Sequence, residues 1–239
     1  MEAQPEYTHT RGGVVAANAG ADVRGAFLVR TYLHLVAAIF AFVFLETALF
    51  STGIADRVSE LLFQFGRFGW LVVMVAFMGA GYIAESWARS GGNPTLQYAG
   101  LALYVVAEAV ICMPLLWIAA NFAPGAIPAA GIITLILFGG LTGIVFVTRK
   151  DFTFMKGFLG IAGLAALGMI VASLLLGFQL GVWFSGAMVL LAGGYILYYT
   201  SNVLHHYRAD QHVAAALSLF SALALLFWYV LRLFLASRR

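Results

Sequence analysis

The sequence predicts an all-α membrane protein, a bundle of seven transmembrane helices, and three observations predict it. The 239-residue chain is 63% hydrophobic and 10% charged, whereas soluble domains carry about 25% charged residues. Its mean hydropathy is +0.96. Seven apolar runs follow one another along the chain, each near the ~20 residues that a bilayer requires. Backbone polar groups find no water in lipid, so such runs must be helices. The period-2 alternation of a membrane barrel is absent.

The first run spans residues 27–50. Residues 1–25 before it read as a flexible polar tail, and 26–239 as one membrane domain. The tail has no short apolar core with a cleavage site, and the run is too long for a signal peptide, so it reads as a retained span. The second run is 69–88. The third, 96–120, contains Pro114 well inside it, where a proline should kink the helix. The fourth, 127–148, has Pro128 in its first turn, where the missing N–H costs little. It also carries Gly139, Gly140 and Gly143, a small-residue pattern expected to let a neighbouring helix approach closely. The fifth run is 158–178. The sixth, 181–204, has Gly193 and Gly194 midway, and the seventh is 213–235. The connections around Asn121–Gly125 and Phe178–Leu180 are too short to hold structure. Trp70, Trp87, Trp117, Trp183 and Trp228 all fall within about two turns of a run's end, as an aromatic belt requires.

Lys and Arg placement orients the bundle. With the N-terminus inside, the inner segments hold Arg11, Arg24, Arg30, Arg89, Arg149, Lys150, Lys156 and Arg208, against Arg57, Arg67, Arg232, Arg238 and Arg239 outside. The expected topology is a cytoplasmic N-terminus and a C-terminus on the far side of a plasma membrane, the inner membrane in a bacterium. A net charge of +3 with no basic block excludes nucleic acid as a partner; the lipid bilayer is the primary one. Cys112 is the sole cysteine, so no internal disulfide forms.

Ionisable groups within the runs are the default functional candidates, because burying them is expensive. Glu108 sits about 18 Å along the third helix. It has two readings: a neutral carboxyl bonded to a neighbouring helix, or a member of an ion or proton path beside the backbone that Pro114 frees. Glu85 and Arg89 are spaced i,i+4, in the favourable order for an interfacial ion pair. Glu46 is expected to reach the outer interface, and His34 to be a hydrogen-bonded packing residue. His205, His206, Asp210 and His212 cluster in the sixth-to-seventh connection. They lack the spacing of a metal family and read as a solvated turn, so no metal or other cofactor is expected. Ser185 before Gly186 lacks a matched histidine for a protease, and the last run has no lysine for a Schiff base. An enzyme is not expected.

Three blocks carry a family resemblance. The stretch GLTGIVFVTRKDFTFMKGFL (140–159) resembles the fourth-to-fifth helix connection of the transmembrane Bax-inhibitor-motif family. LQYAGLALYVVAEAVICMPLLWIA (96–119) is similar to the third helix of its bacterial branch. ILYYTSNVLHHYRADQHVAAALSLF (196–220) resembles the sixth helix, its turn and the start of the seventh. The resemblance implies seven helices with the last one central, and links the chain to a pH-sensitive calcium leak and to modulation of partner membrane proteins. It ties the leak to two aspartates, one late in the sixth helix and one mid-seventh, which share a proton, and to an arginine of the second helix. Here Tyr199 and Ala222 occupy the aspartate positions, and the second run holds no arginine. Any leak in this chain is therefore gated otherwise.

Tyr195, Tyr199, Asn202 and His206, with Tyr198 beside them, recur at helical spacing on the sixth helix. The stripe reads either as a tyrosine-lined helix contact or as the inner vestibule of a pore without carboxylates. Two functions follow from the sequence. One is a calcium or cation leak using Glu108. The other is a non-conducting regulator that binds partner membrane proteins, such as a membrane-anchored protease.

Overall fold

A computed structural model describes residues 14–237. Arg11, Arg238, Arg239 and the first half of the polar tail lie outside the described residues. Seven helices follow in order: α1 (Ala21–Ser51), α2 (Ile54–Ala88), α3 (Pro94–Phe122), α4 (Ala126–Thr148), α5 (Lys156–Leu176), α6 (Val182–His205) and α7 (His212–Ala236). All seven are long and apolar enough to cross a membrane. Their outward surface carries large exposed side chains such as Phe40, Phe44, Phe68 and Trp183. A soluble protein does not present apolar surface on that scale, whereas lipid solvates it.

The helix ends follow from local chemistry. Asn93 caps α3, its side-chain oxygen accepting the Leu96 N–H at 3.1 Å, and Pro94 supplies the first turn. α3 continues through Pro114 as one helix to Phe122. The break falls instead in α2, where Gly66 takes φ 58° and ψ −143°, a conformation that only glycine adopts readily. The α2 segment before Gly66 was expected as a connection, because Asp56, Arg57 and Glu60 dilute its hydropathy. It is helical because it is amphipathic, with Ala55 and Ser59 buried and Asp56 accepting the Trp117 indole N–H at 2.7 Å. α2 therefore does contain arginines, Arg57 in its first turn and Arg67 directly after the Gly66 break, against Gly177.

The polar tail is not free up to the first span. α1 begins at Ala21, inside the stretch read as tail. Val15 pairs with Arg208, and the buried Ala16 donates its N–H to the Tyr207 carbonyl at 2.9 Å. The entry to α1 is thereby tied to the α6–α7 turn.

α7 is the central element. It packs against α6, α1, α4, α3 and α2, and its side chains are buried from Val213 to Leu231 with few interruptions. Lipid gives helices little hydrophobic reason to associate, so close packing has to hold them together. The run Ala214, Ala215, Ala216, Ala222 and Ala224 supplies small side chains for it. Phe220 fills the centre, with ring centroids 6.2 Å from Phe42 and 6.1 Å from Tyr104. α5 lies outside, against α6 and α2, and meets α7 through a small cluster of Ala166, Met188 and Tyr229.

Small residues also set the tightest approach, though not at every expected glycine. A Cβ on Gly100 would lie 2.5 Å from the Ala84 oxygen and 2.7 Å from the Ala88 nitrogen, so α2 and α3 touch backbone to backbone. Gly194 abuts Leu159. Gly139, Gly140 and Gly143 meet nothing within 4 Å, so the packing expected at these positions is not made among the described residues. Sequence spacing shows that a face is small, but not whether another helix covers it.

Candidate functional site

At the end of the bundle that carries the α6–α7 turn, a polar cavity of about 490 Å³ opens. α6 supplies Tyr195, Tyr198, Tyr199 and Asn202. The turn adds His206, Tyr207 and Gln211, α2 adds Glu85 and Arg89, and α5 adds Lys156. The residues meet because α2 and α6 end, and α5 begins, at the end of the bundle that carries the α6–α7 turn.

The tyrosine stripe is a packed aromatic stack. Tyr195 and Tyr199 are stacked at 5.8 Å with ring planes 18° apart, and Tyr198 leans on Tyr199 at 5.2 Å. The Tyr195 hydroxyl donates to the Leu159 carbonyl at 2.9 Å, across Gly163 of α5. Tyr207 lines the same cavity just past the end of the helix. Its hydroxyl is 2.8 Å from the Ser218 hydroxyl, and burial pushes its titration above the usual phenol range. The Arg89 guanidinium sits 5.9 Å from the Tyr207 ring centre and pairs with Glu85 at 2.7 Å. With Glu85 neutralised by Arg89, Lys156 is left as excess positive charge. The cavity wall holds no pair of carboxylates.

Beside the cavity, a latch joins the α4–α5 turn to α6. Arg149 ends α4 at φ 52°, a left-handed conformation that opposes helix continuation. The chain then returns to place Asp151 and Phe152 over Ser201, which is fully buried. The Ser201 hydroxyl accepts the Phe152 N–H at 2.9 Å and donates to Asp151 Oδ1 at 3.1 Å. Asp151 also accepts the Thr153 N–H at 2.9 Å and faces His206 Nε2 at 3.4 Å. Hydrogen bonds from Thr153, then Ser201 and His206, hold the Asp151 carboxyl at about 2, below its ordinary 3.8.

Of the residues singled out in the sequence, Glu85, Tyr199, Asn202 and His206 line this cavity. Glu108 and Ala222 do not. Ala222 is buried in α7. Glu108 is 5% exposed, bordering neither this cavity nor the one described below, and accepts a bond from the Cys112 thiol at 3.6 Å. His34 bonds the Arg30 carbonyl and the Tyr98 hydroxyl at 2.7 and 3.1 Å. The histidines of the turn face separate partners: His205 the Ser201 carbonyl, His206 Asp151, and His212 the ring of His34. Among the described residues, no group of three or more His, Cys, Asp or Glu converges to hold a metal. Lys156, Tyr207, Gln211 and Ser201 were not singled out. Ser201 and Tyr207 sit within the quoted helix-six block, but nothing in the spacing separates them from ordinary polar residues at a helix end.

The fold and this polar end define a polytopic helical membrane protein with an aromatic vestibule beneath a central last helix. A sequence profile of the family described as inhibitor of apoptosis-promoting Bax1 matches residues 24–239. The chain belongs to that family. It is also 33% identical, over 111 residues, to an uncharacterised protein of Pseudomonas aeruginosa, a match covering 45% of this chain and 49% of that one. The aligned stretch thus spans about half of that relative's length.

Proposed function

We propose that this protein is a non-enzymatic regulator that works through helix contacts with other membrane proteins and does not pass calcium. The observation that carries this reading is the charge of the vestibule. Its Glu85 is neutralised by Arg89, Lys156 is in excess, and Tyr199 occupies the family's aspartate position. With Glu85 paired to Arg89 and Asp151 held by Ser201 and His206, the wall offers a divalent cation no free carboxylate, and two carboxylates sharing a proton are what pH gating needs. The open face of α4 at Gly139, Gly140 and Gly143 favours the partner role, because a helix from another protein can approach it closely.

Purified protein in liposomes is expected to show no calcium influx above protein-free vesicles between about pH 6 and pH 8, the range in which histidine titrates. Influx that disappears in Glu108→Gln would instead support the leak reading, which the buried mid-span position of Glu108 favours. The charge asymmetry further supports a cytoplasmic N-terminus. A tag after Arg239 should then be labelled in intact cells, and labelling only after permeabilisation would reject this orientation.

A further inference from the structure

A second cavity, of about 690 Å³, lies in the half of the bundle opposite the α6–α7 turn, between α1, α3, α4 and α7. Its wall is apolar and includes the rings of Phe42, Phe50, Phe220 and Phe227. Four polar side chains interrupt it. Thr47 and Ser51 donate to the Val43 and Ala48 carbonyls of their own helix, and the other two are buried. Glu46 of α1 is 6% exposed and Thr134 of α4 is 2% exposed. Neither carboxyl oxygen of Glu46, nor the Thr134 hydroxyl, has a hydrogen-bond partner among the described residues. The sequence places Glu46 at the interface; the structure buries it instead, because α1 runs on to Ser51 and turns this carboxyl toward the bundle interior.

A buried carboxyl without a partner costs several kcal/mol, and natural proteins satisfy nearly all such groups. The unpartnered atoms here number three: two carboxyl oxygens, which accept when the group is ionised, and one hydroxyl oxygen, which accepts through its lone pairs. A primary ammonium carries three N–H donors, and aromatic faces attract a cation that has left water. A bare metal ion fits poorly, since calcium takes six to eight oxygens, about twice what is offered. The rim gives the route of entry. Val43 and Leu135, on α1 and α4, are 52% and 53% exposed, so the cavity opens sideways onto the lipid-facing surface. An occupant arriving from the bilayer must itself be lipophilic.

We propose that this cavity is a binding site for a lipophilic primary amine, its ammonium held by Glu46 and Thr134 and its apolar body held among the phenylalanines. The site is distinct from the vestibule and does not depend on whether the protein conducts.

The experiment compares 1-naphthylmethylamine with its near-isostere 1-naphthylmethanol, by fluorescence titration of the protein in lipid nanodiscs, with empty nanodiscs subtracted. The amine should bind saturably and more tightly than the alcohol. Glu46→Gln should weaken amine binding by about thirtyfold or more, as removing one partner of a buried charge pair does, and should abolish the preference. Gly131→Leu tests the cavity without touching Glu46. A Cβ at Gly131 meets nothing within 4 Å, so the variant should fold, fill the space and lose binding even if Glu46→Gln does not fold. Equal binding of amine and alcohol, or amine binding that survives Gly131→Leu, would overturn the proposal and leave a neutral lipid chain as the occupant.

Discussion

Gly100→Ala is expected to destabilise the bundle by about 3 kcal/mol, the upper end of what overpacking produces. The added methyl would stand 2.5 Å from the Ala84 oxygen and 2.7 Å from the Ala88 nitrogen. Both are backbone atoms inside α2, so no side-chain rotation relieves the clash and the two helices must separate. That separation also disturbs the site, because Glu85 and Arg89 sit on the same last turns of α2. Gly140→Ala is the control. Its Cβ meets nothing within 4 Å, and alanine is the better helix former by roughly 1 kcal/mol, so this variant should be neutral or slightly more stable. Thermal unfolding in detergent measures both. Equal midpoints for the two variants would mean that α2 and α3 do not approach as closely as described.

The contrast between these glycines shows where sequence reasoning reaches its limit. The number and type of helices were legible, because lipid leaves an apolar run no other backbone solution. The amphipathic front of α2 was not, since a hydropathy window rejects Asp56, Arg57 and Glu60 although a helix tolerates them on one face. The vestibule was half legible. Tyr195, Tyr199, Asn202 and His206 share one face of α6 by period alone. The facing groups Glu85 and Lys156 come from other helices, and only the assembled bundle brings them together. Glu46 and Glu108 illustrate a further limit. Both are carboxyls within apolar runs, and nothing local distinguishes the one that borders a cavity from the one that does not.

The latch at the edge of the vestibule should respond most clearly to Ser201→Ala, which is expected to destabilise the protein by about 2 kcal/mol. The change removes the acceptor of the partly buried Phe152 N–H, and a donor left unsatisfied away from water costs about 1–3 kcal/mol. It also removes one of the bonds that hold Asp151. Asp151→Asn should cost less, because the Asp151 side chain is half exposed and solvent screens its interactions. Its signature is instead a change of shape with pH. The folded Asp151 titrates at about 2, below the unfolded value near 4. Its contribution is therefore complete above about pH 4 and fades as the pH falls toward 2. Asp151→Asn should flatten that acid limb while leaving the neutral plateau only slightly lowered. Ser201→Ala should lower the plateau and shrink the acid limb together, since it weakens the same carboxylate. The double variant should lie close to Ser201→Ala alone, because the two changes break a shared bond and cannot add. Thermal midpoints of the parent and the three variants, from neutral pH into the acid range, test this directly. Strict additivity would show that Ser201 and Asp151 hold the α4–α5 turn independently and that the bond between them contributes nothing.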